Sequence, residues 1–208
     1  MENIGSTSPA GSKFILGITG GVGSGKSRVL EILKEEYGFR VIQADQVAKE
    51  LMRPGRESYQ AVVDCLGPSI LNEDGTINRP AMAQVIFGCP DKRLQVDRLT
   101  HPLVWNTAFG EALACPEPLV VIEAAIPSKE FRDNCGEMWY VYTSEENRIR
   151  RLKENRGYSR ERSLSIMKNQ LSDEEFRELA DRVIDNNGTV EEVKAGLEAL
   201  LKDKGRET

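Results

Sequence analysis

Lys13-Phe14-Ile15-Leu16-Gly17-Ile18-Thr19-Gly20-Gly21-Val22-Gly23-Ser24-Gly25-Lys26-Ser27 (KFILGITGGVGSGKS) is the stretch that decides the fold. Its first part, Lys13–Thr19, is a short apolar run with β-branched residues that stops at glycines, as a buried strand does. Residues 20–27 then satisfy G-x-x-x-x-G-K-[ST] at every required position. Glycine lets the backbone wind closely around a polyphosphate. The amide groups of Gly21, Val22, Gly23, Ser24 and Gly25 and the start of the next helix then face negative charge. Lys26 supplies a mobile positive charge to the β- and γ-phosphates of a nucleotide, and the Ser27 hydroxyl is placed to hold the magnesium ion that bridges them. The alternative, a glycine-rich turn with an incidental lysine, is weak against a full motif set between a predicted strand and a predicted helix.

Working outward, Val29, Ile32 and Leu33 recur at helical spacing after Gly25, with Glu36 or Tyr37 as the next step of that face. Phe39–Ala44 (FRVIQA) reads as a second strand, completing a β-loop-α-β unit with parallel strands and a right-handed crossover. From Asp45 to about Leu99 the pattern changes to amphipathic helices interrupted by Pro54-Gly55, Gly67-Pro68 and the turn signal Asp74-Gly75, a helical insertion. Leu119–Ala125 and Met138–Thr143 are two further strand candidates for the same sheet. A charged helical stretch over Asn147–Glu161, an amphipathic helix near Leu164–Leu171, a short apolar pair at Val183-Ile184 and a packing helix over Val190–Leu201 complete the chain.

A chain of 208 residues with 39% hydrophobic and 29% charged residues is ordinary for a folded protein and fits one domain with insertions. A net charge of −5 argues against a protein whose main business is neutralising nucleic-acid phosphates. Cys65, Cys89, Cys115 and Cys135 form no C-x-x-C pair, so the expectation is free thiols in a reducing cytoplasm, with no zinc or redox motif. No stretch has the roughly 20 apolar residues of a membrane span. Residues 1–12 read as a loose Gly/Ser/Pro leader.

Two carboxylates end predicted strands, where ligands gather in α/β sheets. Asp45 is a candidate to accept the proton of an acceptor hydroxyl, or to orient it and help place the metal; helix N-cap is its ordinary alternative. Glu123 closes the LVVIE run and is a candidate to hold magnesium through water, against a plain solubilising role. The cations between Arg148 and Arg162 read either as a solvated helix face laced with pairs such as Glu146–Arg150, or as a lid bringing arginines to transferred phosphate. Tyr158 is the only aromatic among them, too little to stack nucleic-acid bases.

In this order the motifs resemble the dephospho-coenzyme A kinase family from about Phe14 to about Leu200. After GITGGVGSGKS come Val41-Ile42-Gln43-Ala44-Asp45, Pro54-Gly55, Ile70-Leu71 with Asp74-Gly75, Asn78-Arg79 and Phe87, and His101-Pro102. Arg151-Leu152, Arg156-Gly157-Tyr158-Ser159, Gln170-Leu171-Ser172 and Val183-Ile184-Asp185-Asn186-Asn187-Gly188 follow. The resemblance implies an α/β, three-layer P-loop kinase fold with a parallel sheet, a helical substrate-binding insertion and a helical lid. It divides the chain into a core (13–44, 100–146 and 179–208), a helical coenzyme A domain (45–99) and a lid (147–178). It also implies a soluble, cytoplasmic, monomeric or weakly oligomeric enzyme without nucleic-acid or membrane partners. That enzyme transfers the ATP γ-phosphate, with magnesium, to the ribose 3′-hydroxyl of dephospho-coenzyme A, the last step of coenzyme A synthesis. By the same resemblance Asp45 is the base, Arg151 and Arg156 contact phosphate, Arg79 and His101 are on the substrate side, and Asn186 or Asn187 sits near the adenine. Taken alone, His101 before Pro102 reads as a helix start.

Three positions depart from the family pattern. Gln43 stands where many members have a first Asp, Arg28 replaces the common Thr beside the nucleotide, and Ile126-Pro127-Ser128-Lys129 replaces a Leu-rich segment. The competing readings are another small-molecule P-loop kinase and a catalytically weakened coenzyme A-binding homologue. A guanine-nucleotide switch lacks its N-K-x-D element.

Overall fold

The computed structural model describes residues 13–204. Five strands, β1 (Phe14–Thr19), β2 (Arg40–Gln43), β3 (Leu119–Glu123), β4 (Glu137–Tyr142) and β5 (Arg182–Asp185), form one parallel sheet in the order β2-β3-β1-β4-β5. The helices are α1 (Lys26–Tyr37), α2 (Ala44–Leu51), α3 (Glu57–Leu66), α4 (Arg79–Gly88), α5 (Pro90–Ala114), α6 (Lys129–Asn134), α7 (Glu145–Arg156), α8 (Arg160–Met167), α9 (Asp173–Leu179) and α10 (Val190–Lys204). The first β-α-β unit does not join neighbouring strands, because β3 lies between β1 and β2. None of these helices is long and apolar enough to cross a membrane, among the described residues.

The chain divides into two compact units. The first runs to Val41 and takes in Cys115–Val121 and the chain from Ile126 onward; the second is Ile42–Ala114 with Ile122–Ala125. In the first unit, Ile18, Val121, Trp139, Val141 and Ile184 of the sheet are buried with Val29 and Leu33 of α1 and Leu197 of α10. This is the core expected of strands covered on their faces, with near-continuous apolar runs in place of alternation. β4 registers on both neighbours, Ile18 opposite Trp139 and Tyr140 opposite Val183. Cys135 is buried in this unit, and desolvation pushes its thiol up to about 12, which makes it inert. All four cysteines are free.

In the second unit Val62, Leu66, Ile70 and Val96 form a small core. Asp74-Gly75 makes the expected turn: Leu71 pairs with Ile77, and the Asp74 carboxylate accepts from the amide and hydroxyl of Thr76. This unit extends past Leu99 to Ala114 because α5 continues without a break. His101 therefore lies mid-helix and does not start one. Pro102 removes one bond of the helical ladder, at a cost of about 3 kcal/mol. Val96, Thr100, Val104, Trp105, Ala108 and Ala112 hold the helix together by burying one side of it.

Candidate phosphate loop and acceptor cleft

The loop between β1 and α1 is held from behind by side chains of its own unit. Gly25, immediately before α1, has φ 86°, a left-handed backbone that L side chains rarely adopt. A Cβ there would run into the Asn186 amide and lie 3.1 Å from the Arg151 guanidinium. Gly25→Ala is therefore expected to lower the unfolding free energy by about 1–3 kcal/mol, read from urea denaturation, and to weaken nucleotide binding in parallel. A variant as stable as the wild type would show that the loop geometry is not imposed from behind.

The Ser24 carbonyl is the anchor point. It accepts from the Thr143 hydroxyl (2.9 Å), the Asn186 amide (2.7 Å) and the Arg151 guanidinium (3.2 Å). Arg151 also donates to the Asn186 carbonyl at 2.7 Å. One helical turn earlier, Arg148 lies against Gly21, donates to the Val22 carbonyl at 2.8 Å and shares the Gln170 side-chain oxygen with the Val22 amide. Burial pushes both guanidinium groups below their ordinary value, with the Arg150 charge adding to the effect at Arg151. Both stay charged because arginine starts so high.

Lys26 opens α1 and donates to the Gly20 carbonyl at 2.6 Å, while Ser27 is exposed in the same first turn. Arg28 is exposed and pairs with Glu31 at 2.5 Å. Asn187 accepts from the Ser144 amide and from Asn147, both at 2.9 Å, fixing the start of α7. Thus Lys26, Ser27, Arg151 and Asn186 gather at the loop. Arg156 stands exposed in the last turn of α7, just before Gly157, whose left-handed φ of 64° ends the helix and splits the charged stretch. The expected Glu146–Arg150 pair does not form: Arg160 holds Glu146 through both oxygens, at 2.8 and 2.9 Å, and Arg150 donates to Asn147. Reaching across the α7–α8 turn gives a two-pronged bond that one helix face does not offer.

The second unit carries a cleft of about 780 Å³. One wall is the face of α2 bearing Asp45, Ala48 and Lys49, continued by Met52 at its C-cap; the other is the face of α4 bearing Arg79, Met82, Ala83 and Ile86. Both sets follow the i, i+3, i+4, i+7 pattern of a single helix side. Asp45 is not the N-cap of α2: Gln43 occupies that position, and Asp45 is exposed in the first turn. The Asn78 side chain caps α4 by accepting from the Ala81 amide, and Arg79 follows as the first residue of the helix. His101 is absent from the lining; it is exposed, 3.8 Å from Asp97 and tilted on Trp105. Glu123 is buried at the end of β3. At the departing segment Ile126–Lys129, the Ser128 hydroxyl caps α6 and Ile126 is exposed.

Thr143 is not a candidate from sequence, Gln170 enters only within the family motif and Arg148 only as one of the cations between 148 and 162, although each touches the loop. The spacing of Arg148 and Arg151, three apart on one helix, was the available signal.

A family model described as dephospho-CoA kinase matches residues 14–192. A dephospho-CoA kinase of Carboxydothermus hydrogenoformans is 36% identical over 197 residues, covering 90% of this chain and 93% of that protein. One from Streptococcus mutans is 36% identical over 191 residues, covering 90% and 96%. Among solved structures, a Thermus thermophilus protein is 27% identical with TM-score 0.78, covering 92% of this chain and 97% of that one. A shikimate kinase from Acinetobacter baumannii, 16% identical with TM-score 0.53 over 93% of this chain and 96% of that one, shares the fold.

Proposed function

The chain belongs to the dephospho-CoA kinase family, and from that premise we propose how its residues divide the work of moving the ATP γ-phosphate to the ribose 3′-hydroxyl of dephospho-coenzyme A. The observation that carries the proposal is the Asp45 carboxylate on the wall of a cleft large enough for a nucleotide-sized acceptor, with Lys49 and Arg79 beside it. Those cations suit the acceptor's diphosphate, and the carboxylate suits its hydroxyl.

On the donor side, the amides of 21–25 and the N-terminus of α1 receive the triphosphate, and Lys26 exchanges its bond to the Gly20 carbonyl for phosphate oxygen. Arg148, Thr143, Asn186 and Gln170 act as positioning residues that keep the loop backbone open to a ligand. Arg151 and Arg156 are assigned to the transferred phosphate, with 147–178 as the lid. Asn186 and Asn187 are assigned to the adenine side, and His101 to the acceptor side.

The described residues contain no group of three or more His, Cys, Asp or Glu side chains that could hold a metal, and magnesium needs none. A hard, strongly hydrated cation is held by one or two protein oxygens, water and phosphate, and the exposed Ser27 hydroxyl next to Lys26 fits that donor chemistry. Ser27 would hold it; when bound it neutralises charge on the β- and γ-phosphate oxygens.

Purified protein given ATP, magnesium and dephospho-coenzyme A is expected to release ADP in step with coenzyme A. Chelating the magnesium should suppress the release at least a hundredfold. ADP release without an acceptor, faster turnover of nucleosides than of dephospho-coenzyme A, or tight acceptor binding with no ADP would each overturn the reading.

A further inference from the structure

α4 is an apolar helix (RPAMAQVIFG) without a single buried residue. Met82, Val85 and Ile86 pack only partly against the small core of their unit, and Phe87, on the lining of the cleft, is 83% exposed. An aromatic ring left this bare, beside half-buried methionine and isoleucine, is the signature of a surface completed by a ligand. The same cleft presents Lys49 and Arg79, with Arg53 already paired to Glu50 at 2.9 Å, against one carboxylate, Asp45, so its complement is an anion that also carries apolar or planar surface. Flexible Met52 and Met82, with the apolar Ile86 beside them, suit an aliphatic chain. The Phe87 ring offers a flat face, which suits a base.

We propose that Phe87 is a specificity-determining residue that stacks on the adenine of the acceptor, an inference that rests on the dephospho-coenzyme A reading and extends it to the base. Asp45 then engages the sugar hydroxyl, the cations engage the diphosphate, and the methionine and isoleucine wall takes the pantetheine arm. Because Phe87 packs against almost nothing, its replacement leaves the core untouched.

The test measures binding to the intact protein with a saturating non-hydrolysable ATP analogue filling the donor side. Dephospho-coenzyme A, AMP and 4′-phosphopantetheine serve as probes. Phe87→Ala is expected to weaken dephospho-coenzyme A and AMP by the same factor, about tenfold, and to leave 4′-phosphopantetheine unchanged. Phe87→Trp should restore both, and in turnover the loss should fall on KM for the acceptor with kcat retained. Equal affinities in wild type and Phe87→Ala, or a loss confined to 4′-phosphopantetheine, would overturn the assignment while leaving the kinase reading intact. So would a wild-type self-association that Phe87→Ala abolishes. A wild type that binds no dephospho-coenzyme A removes the kinase reading and this inference together.

Discussion

Lys26→Ala is expected to lower kcat by about 10²–10³-fold, or about 2.7–4 kcal/mol of barrier, while the protein keeps its fold. The ammonium sits at the first residue of α1, where the helix's own positive end and the loop amides already favour an anion. What it adds is a full charge on a flexible stem, able to follow the oxygens as negative charge shifts toward the leaving β-phosphate. Such an interaction is stronger in the transition state than in the ground state, so its loss should fall on kcat more than on KM for ATP. Structurally its part-buried bond to the Gly20 carbonyl is worth about 1 kcal/mol, so losing that bond should shift unfolding by urea only slightly. The paired measurement separates chemistry from folding. A loss of activity under tenfold in a stable variant would remove Lys26 from the transfer step.

What could be read from the sequence was what short-range chemistry dictates. The loop from Gly20 to Ser27 was legible because each glycine answers a local demand and the strand and helix on either side carry their own periodicity. The cleft wall of α2 was legible in part: Asp45 followed from its place at a strand end. Its partner wall did not follow, since the side of α4 that meets Asp45 is set by how α3, α4 and α5 pack. Strand order was out of reach for the same reason. Nothing in residues 119–123 says that β3 enters between β1 and β2.

Pro102 misled in the opposite direction. A local rule places proline in a first helical turn, yet six buried residues along α5 outweigh one lost ladder bond. Arg148 was hidden among neighbours of the same charge, and only the fold separates the guanidinium that clasps Val22 from the one that binds Glu146 at the surface. α9 carries a local start signal of its own. Ser172 and Glu175 form a reciprocal capping box ahead of Phe176, the sequence pattern of a helix start.

Asp45→Asn is expected to cost about 10²–10⁴-fold in kcat with acceptor affinity changed by no more than about threefold. When the 3′-oxygen bonds to phosphorus its proton has to leave. Asparagine at 45 has the shape of the native side chain and still accepts a hydrogen bond from the hydroxyl, but it has no site for that proton. In a loose transition state bond formation to the incoming oxygen lags behind departure of ADP, so the proton is shed late and a base contributes less than in an acyl transfer. The cost should therefore sit toward the lower end of that range, and a basic role is told from an orienting one by the pattern across two variants. If Asp45 takes the proton, Asp45→Asn and Asp45→Ala should be equally slow, because neither can receive it. If Asp45 only aims the hydroxyl, Asp45→Asn should keep most of the wild-type rate and Asp45→Ala should lose it, since only the amide preserves the hydrogen bond. The second result would reassign the carboxylate from proton acceptor to positioning residue. Its exposed place in the first turn of α2 makes either variant safe for the fold, so a difference between them reports on the reaction.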